Sequence, residues 1–200
     1  MFGVEVADIP LPSDIENILD AEASFILDNE NSQQRVRDNH LLVLMPSHIN
    51  DVAFTLNMLG VLAKQYFPGL ESGYRRYETS VRSCLGCSAP LRSYWLLMTR
   101  HILYGSRNKD YDIQNEMVPR NYTLPNTLET ATGMLIHYAR HKVRLFDDSP
   151  WTYVCCMNEH VINGPKLASV GGFSTSGLFI SSHDGSGAEH RGIACCRRMD

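Results

Sequence analysis

The sequence predicts an α+β domain with a mainly antiparallel sheet of five or six strands and helices packed on it. Three observations carry that reading. The tail divides into four short strand-like runs joined by turns, at residues 151–157, 166–174, 177–182 and 191–198. Two continuous apolar runs, HLLVLM at 40–45 and SYWLLMT at 93–99, have the length and content of buried strands. Amphipathic helical stretches lie before and between them, the longest running from Asn126 to about Lys142.

Taken in order, residues 11–27 predict a helix. Ser13 and Glu16 make a capping box, and Ile15, Ile18, Leu19, Ala23, Phe25 and Ile26 recur at helical spacing, although Glu22 interrupts the stripe. The polar run 28–39 (DNENSQQRVRDN) reads as a connector or as a further exposed helical turn. The expected organisation is therefore an N-terminal helix and connector over 1–39 and an α+β domain over 40–200. Pro46 closes the first apolar run, and Thr55 caps a helix whose Leu56, Leu59, Ala63 and Tyr66 share one face, ended by Pro68-Gly69. Residues 73–88 predict irregular chain, and 110–118 a short helix closed by Pro119. Asn126 with Glu129 caps the long helix, and Leu128, Ala131, Leu135, Ala139 and Val143 form its expected buried stripe.

In the tail, Trp151, Tyr153 and Cys155 alternate with Thr152, Val154 and Cys156, the period of a strand. Asn163-Gly164 is a turn signal, and Gly171-Gly172 marks a bulge or a close backbone approach. Strands this near in sequence are expected to pair antiparallel.

The chain has 200 residues, 44% apolar and 20% charged, enough for one packed domain. Its net charge of −4, with no basic block, argues against nucleic acid as the main partner. The first ten residues carry Glu5 and Asp8 and no basic-flanked apolar core, so no secretory signal is visible. No apolar run approaches the roughly 20 residues of a membrane-spanning helix. The expectation is a soluble chain without a membrane partner. It works in a reducing compartment, in the cytoplasm or delivered into a host cell. In that compartment the six cysteines, including the doublets Cys155-Cys156 and Cys195-Cys196, act as small hydrophobes.

The succession Tyr94-Trp95-Leu96-Leu97-Met98-Thr99, Gly105-Ser106-Arg107-Asn108-Lys109, Pro150-Trp151-Thr152-Tyr153, Gly171-Gly172-Phe173 with Gly177-Leu178, and Gly192-Ile193-Ala194 with Arg197-Arg198 resembles an uncharacterised domain. That domain forms the C-terminal part of leucine-rich-repeat and F-box-like proteins of chlamydia-like intracellular bacteria. The resemblance covers about residues 40–198 and implies a module attached to interaction repeats and deployed against a host. It brings no catalytic residues. The chain has no leucine-rich or F-box pattern of its own, and the cysteine doublets are not part of the resemblance.

Four constellations carry candidate chemistry. Cys84-Leu85-Gly86-Cys87 has the spacing of two zinc ligands, but a closed tetrahedral site needs two more; packing is the favoured reading, with a zinc-stabilised structural domain behind it. His137 and His141 share a helix face without the glutamate of a zinc protease, and read as surface histidines. Ser174 with His183 and Asp184 can be written as a hydrolytic triad, although the glycine spacing around Ser174 fails the nucleophile-elbow pattern. Cys155 or Cys156 with His160 or His183 is the thiol alternative. A thiol or serine hydrolase therefore ranks behind a non-catalytic interaction or ligand-recognition module. The binding surface expected for that module joins Ser106, Arg107, Asn108 and Lys109 with Asp184, Glu189 and His190, on loops carried by a rigid scaffold. The expected partner is a protein or a small ligand. Arg75-Arg76-Tyr77 mixes base and aromatic, and reads as solvated surface.

Overall fold

The computed structural model of the chain describes residues 9–28, 33–157 and 167–199. The chain enters through two short helices, α1 (Ile15–Asp20) and α2 (Val36–Asn39), and passes directly into β1 (His40–Met45). A small hairpin of β2 (His48–Ile49) and β3 (Val52–Ala53) precedes α3 (Leu56–Ala63). Then come β4 (Arg76–Tyr77), α4 (Thr79–Leu85), β5 (Tyr94–Thr99), α5 (Tyr111–Glu116) and α6 (Thr127–His141). The tail supplies β6 (Tyr153–Cys155), β7 (Leu167–Ser174), β8 (Gly177–His183), β9 (Arg191–Gly192) and β10 (Cys196–Met199).

Besides the β2–β3 hairpin, the strands form two sheets. One is antiparallel, with order β1-β5-β10; the other has order β4-β8-β7-β6-β9. The α+β class and the antiparallel pairings hold, but the largest sheet is mixed and not mainly antiparallel. Its centre, β6-β7-β8, is antiparallel, while β4 runs parallel to β8 and β9 parallel to β6. Both edge strands are two residues long and reach their partners after long excursions, so no hairpin turn dictates their direction.

The expected strand over 191–198 is also two strands, one in each sheet. Between them Ile193 N–H donates to Ser106 Oγ at 3.1 Å, and Thr99 exchanges bonds with Cys195 through its N–H and its Oγ1. Those bonds carry the chain across the seam. The stretch expected to be irregular holds β4 and α4 because Arg75 and Glu78 N–H groups donate to the Leu178 and Ile180 carbonyls.

Period-2 alternation sorts the strand side chains among three apolar clusters. Leu96 and Met98 of β5 face the main cluster with Leu41, Val43 and Met45, whereas Leu97 turns to the opposite face, against Ile15, Ala23, Val36 and Met199. On β6, Val154 joins the main cluster and Cys155 turns away into a group with Phe25, Leu27, Leu103, Leu124 and Ile193. The main cluster lies between the two sheets and α3 and α6. Gly133 brings α6 against β5, since a Cβ there would overlap the Met98 methyl.

The long helix follows the sequence closely, with both hydrogen bonds of the Asn126/Glu129 capping box present. Its buried stripe is shorter than expected, and Val143 is 52% exposed because the helix ends at His141 with Lys142 left-handed. Residues 11–27 depart further. Only 15–20 are helical, and Asp14, not Ser13, occupies the N-cap without a side-chain bond. From Ala21 the backbone is extended, bonding Ala23 N–H to the Gln34 carbonyl and Asp28 N–H to the Ile102 carbonyl. Tertiary partners outcompete the helical ones there.

The first turn of α6 also anchors the C-terminal strand. Glu129 is fully buried; its Oε1 accepts from Tyr94 hydroxyl and Arg198 Nε, both at 2.6 Å, and its Oε2 from Asn126 N–H and Arg198 Nη2, both at 2.7 Å. Replacing Arg198 with Ala strands that carboxylate and is expected to cost roughly 3 kcal/mol, the low end for a broken buried pair because the arginine is partly exposed. Glu129→Gln, which keeps an acceptor for the cap, is expected to cost less. Urea unfolding of both variants measures the difference.

Candidate functional site

Strand alternation builds a surface from residues that are far apart in sequence. Across one row of the five-stranded sheet stand Arg76, Phe179, Gly171, Tyr153 and Arg191, each paired with the next. Leu178 and Ile180 point the other way, into the core. The Tyr153 and Trp151 rings lie nearly coplanar in orientation, 3° apart with centroids 6.1 Å apart, and Phe179 meets both edge-on. Trp151 is 43% exposed. Gly172 lies beneath, at φ +53°, where a Cβ would come within 2.6 Å of Tyr153 Oη and 2.7 Å of the Trp151 ring. Only glycine fits this backbone and this close approach. The result is a shelf of three aromatic side chains laid over a glycine pair.

Cations border the shelf. The Arg75 guanidinium sits 4.8 Å from the Phe179 ring centroid, and its Nη1 donates to Ser174 Oγ at 2.9 Å. His190 meets Tyr153 edge-on. Burial raises the Tyr153 hydroxyl above its ordinary value, with Arg75 and Arg76 acting in the other direction. An open cleft of about 650 Å³ along this edge is lined by Arg107, Pro150, Trp151, Tyr153, Glu189 and His190.

Arg107 connects the surrounding segments. It pairs with Asp28 at 2.8 Å and donates to the Glu189 carbonyl and Thr152 Oγ1, each at 3.1 Å. The two loops expected to form the binding surface do meet: Asn108 N–H donates to the Ala188 carbonyl, Gly187 N–H to Asp110 Oδ1 and Tyr111 N–H to the Gly185 carbonyl. Within them the expected residues divide. Arg107, Glu189 and His190 line the cleft, and Asn108 and Lys109 are exposed beside it. Ser106 is fully buried, a structural acceptor for Ile193 N–H, which corrects its expected place on the surface. Asp184 bonds Ser186 within its own loop.

The hydrolytic residues are arranged otherwise. Ser174 and His183 stand at opposite ends of the β7–β8 hairpin, whose register pairs Ser174 with Gly177 and His183 with Leu167. Six strand residues separate those ends, roughly 20 Å. Ser174 Oγ is buried and accepts from Arg75 and from Ser176 N–H. Cys155 and Cys156 are buried, and burial pushes the Cys155 thiol up to about 12, far from the thiolate a nucleophile requires. His160 lies outside the described residues.

Cys84 is half-buried on α4 and Cys87 exposed just beyond it, where Asn57 Nδ2 donates to its sulfur at 3.4 Å. Among the described residues, no group of three or more His, Cys, Asp or Glu side chains is placed to hold a metal ion. The His137 and His141 rings lie 4.7 Å apart on α6, tilted by 41°. Among the same residues no helix is long and apolar enough to cross a membrane.

Comparison of the chain with protein-family models, curated proteins and solved structures found no match. The site therefore rests on its own geometry.

Two outcomes follow. In the folded protein Cys87 is expected to react fastest with a disulfide reagent and Cys84 more slowly, while Cys155, Cys156, Cys195 and Cys196 react only on unfolding; timed mass mapping measures the order. His183 Nδ1 accepts Gly185 N–H, and burial, with Arg191 nearby, holds its ring down to about 4. Unfolded, the ring titrates near 6.5, so its contribution to stability is present above that value and is lost as pH falls toward 4. The urea midpoint is expected to drop between pH 7 and pH 4.5, and to drop less in His183→Gln.

Proposed function

We propose that the protein is a non-catalytic ligand-recognition module whose binding surface is the shelf of Trp151, Tyr153 and Phe179 with its arginine border. One observation carries this reading: three aromatic side chains meet at one end of a sheet face, Tyr153 and Phe179 half-buried and Trp151 with 43% of its surface in solvent. Elsewhere apolar side chains of the sheet are covered, so a coherent exposed aromatic surface marks a place where something else lands. Aromatic planes with adjoining cations suit a flat, electron-rich group, held by stacking and by charge. The converging loops and the Arg107 bonds hold the surface rigid before any ligand arrives, which lowers the entropic cost of binding.

The resemblance to C-terminal domains of repeat proteins from intracellular bacteria extends the proposal. It makes this a module that works beside interaction repeats and is directed at a host. The reducing compartment expected from the sequence agrees with that setting.

The chain has two tryptophans, and Trp95 is held by its Nε1 bond to the Pro10 carbonyl. A Trp95→Phe protein leaves Trp151 as the sole indole reporter. Titrating it with adenine, quinoline and indole is expected to shift the Trp151 fluorescence saturably for at least one of them. Phe179→Ala is expected to weaken that binding about tenfold, the scale of one aromatic stacking contact. No saturable change with any of the three contradicts the proposal.

A further inference from the structure

A second cleft, about 450 Å³, opens beside the shelf at the seam of the two sheets. Arg107 and Pro150 line both hollows, so the two adjoin. The second cleft has a different chemistry. Arg100, Arg107 and Arg144 line it with His101 and His137, against the carboxylates of Asp28 and Asp147. Arg107 already pairs with Asp28, and Asp147 accepts Ser149 N–H. Arg100 donates to the backbone carbonyls of His40 and Asp38 and forms no ion pair among the described residues. Arg144 Nε and His137 Nδ1 are buried without a hydrogen-bond partner among the described residues.

A half-buried arginine without an acceptor among the described residues calls for one. An anion in this cleft would face the guanidinium groups that line it and offset their charge. Arginine forks match a phosphate in geometry as well as in charge. Next to the cleft, on the other side of Arg107, stands the exposed Trp151 ring. Both hollows fall within the volume range of small-molecule sites.

We propose that the two hollows form one site for a nucleoside monophosphate, with its base on Trp151 and its phosphate in the cleft of Arg100 and Arg144. This inference rests on the recognition reading above, and it names the ligand class. The net charge of −4 fits a single nucleotide better than a polynucleotide, whose extended backbone asks for a basic stripe.

The test uses the full chain carrying Trp95→Phe. Each of the four common 5′-ribonucleoside monophosphates is titrated beside its own nucleoside, with inorganic phosphate as a third probe. At least one monophosphate is expected to bind about tenfold or more tightly than both its nucleoside and phosphate. Arg144→Gln is expected to bring that monophosphate down to its nucleoside, with nucleoside binding and melting temperature unchanged. Trp151→Ala is expected to bring it down to phosphate alone. Equal binding of nucleoside and monophosphate overturns the phosphate cleft while leaving the shelf as a recognition surface. Binding of adenine, quinoline or indole without any nucleoside overturns the nucleotide class and leaves the module reading. Equal loss of nucleoside and monophosphate in Arg144→Gln overturns the assignment of Arg144 to phosphate.

Discussion

The buried Glu129 carboxylate is the constraint on which the arrangement of the two sheets depends. A charge removed from water is tolerable only when its lone pairs are satisfied, and here four donors from three segments do so. The donors come from the N-cap of α6, from β5 and from β10. The four bonds tie the start of α6, β5 and β10 to one buried group. Only residues 193–195 separate β9 from β10. Fixing β10 on β5 therefore fixes where β9 must lie against β6, and with it the seam between the sheets.

The site is a consequence of that seam. One face of the five-stranded sheet fills the core. On the other, the end near Cys155 is covered by α5 and the cluster around Phe25 and Leu103. Among the described residues the end with Gly171, Tyr153 and Phe179 has no such cover, and Trp151 folds over the glycines to form the shelf. Arg107 ties the N-terminal segment, the loop before α5, the loop before β9 and Thr152 into one frame. A surface so framed cannot easily collapse to bury its own aromatic rings, which keeps them available to a ligand.

Much of the scaffold was legible because local signals agreed with tertiary ones. The Asn126/Glu129 capping box marked the start of α6, and the apolar run before Pro46 marked β1. The misses lie where a distant partner decided the outcome. Residues 21–27 left the helix to pair with the Gln34 and Ile102 backbones, and 191–198 split because Ser106 Oγ and Thr99 draw the chain from one sheet to the other. The expected binding surface required the two loops to converge, and they do, but Ser106 went inside as an acceptor no periodicity announces. The aromatic shelf was missed although its signal was present. Period 2 places Trp151 and Tyr153 on one face, and sets Phe179 opposite its core neighbours Leu178 and Ile180. That row becomes visible once Gly171 pairs with both Tyr153 and Phe179.

The account stands most directly on where a ligand lies. A crystal structure of the protein grown with a saturating nucleoside monophosphate would locate it. The account predicts a base against the exposed face of the Trp151 indole and a phosphate oxygen within hydrogen-bonding distance of the Arg144 guanidinium. A ligand bound away from both groups, with Trp151 and Arg144 unchanged, would contradict it.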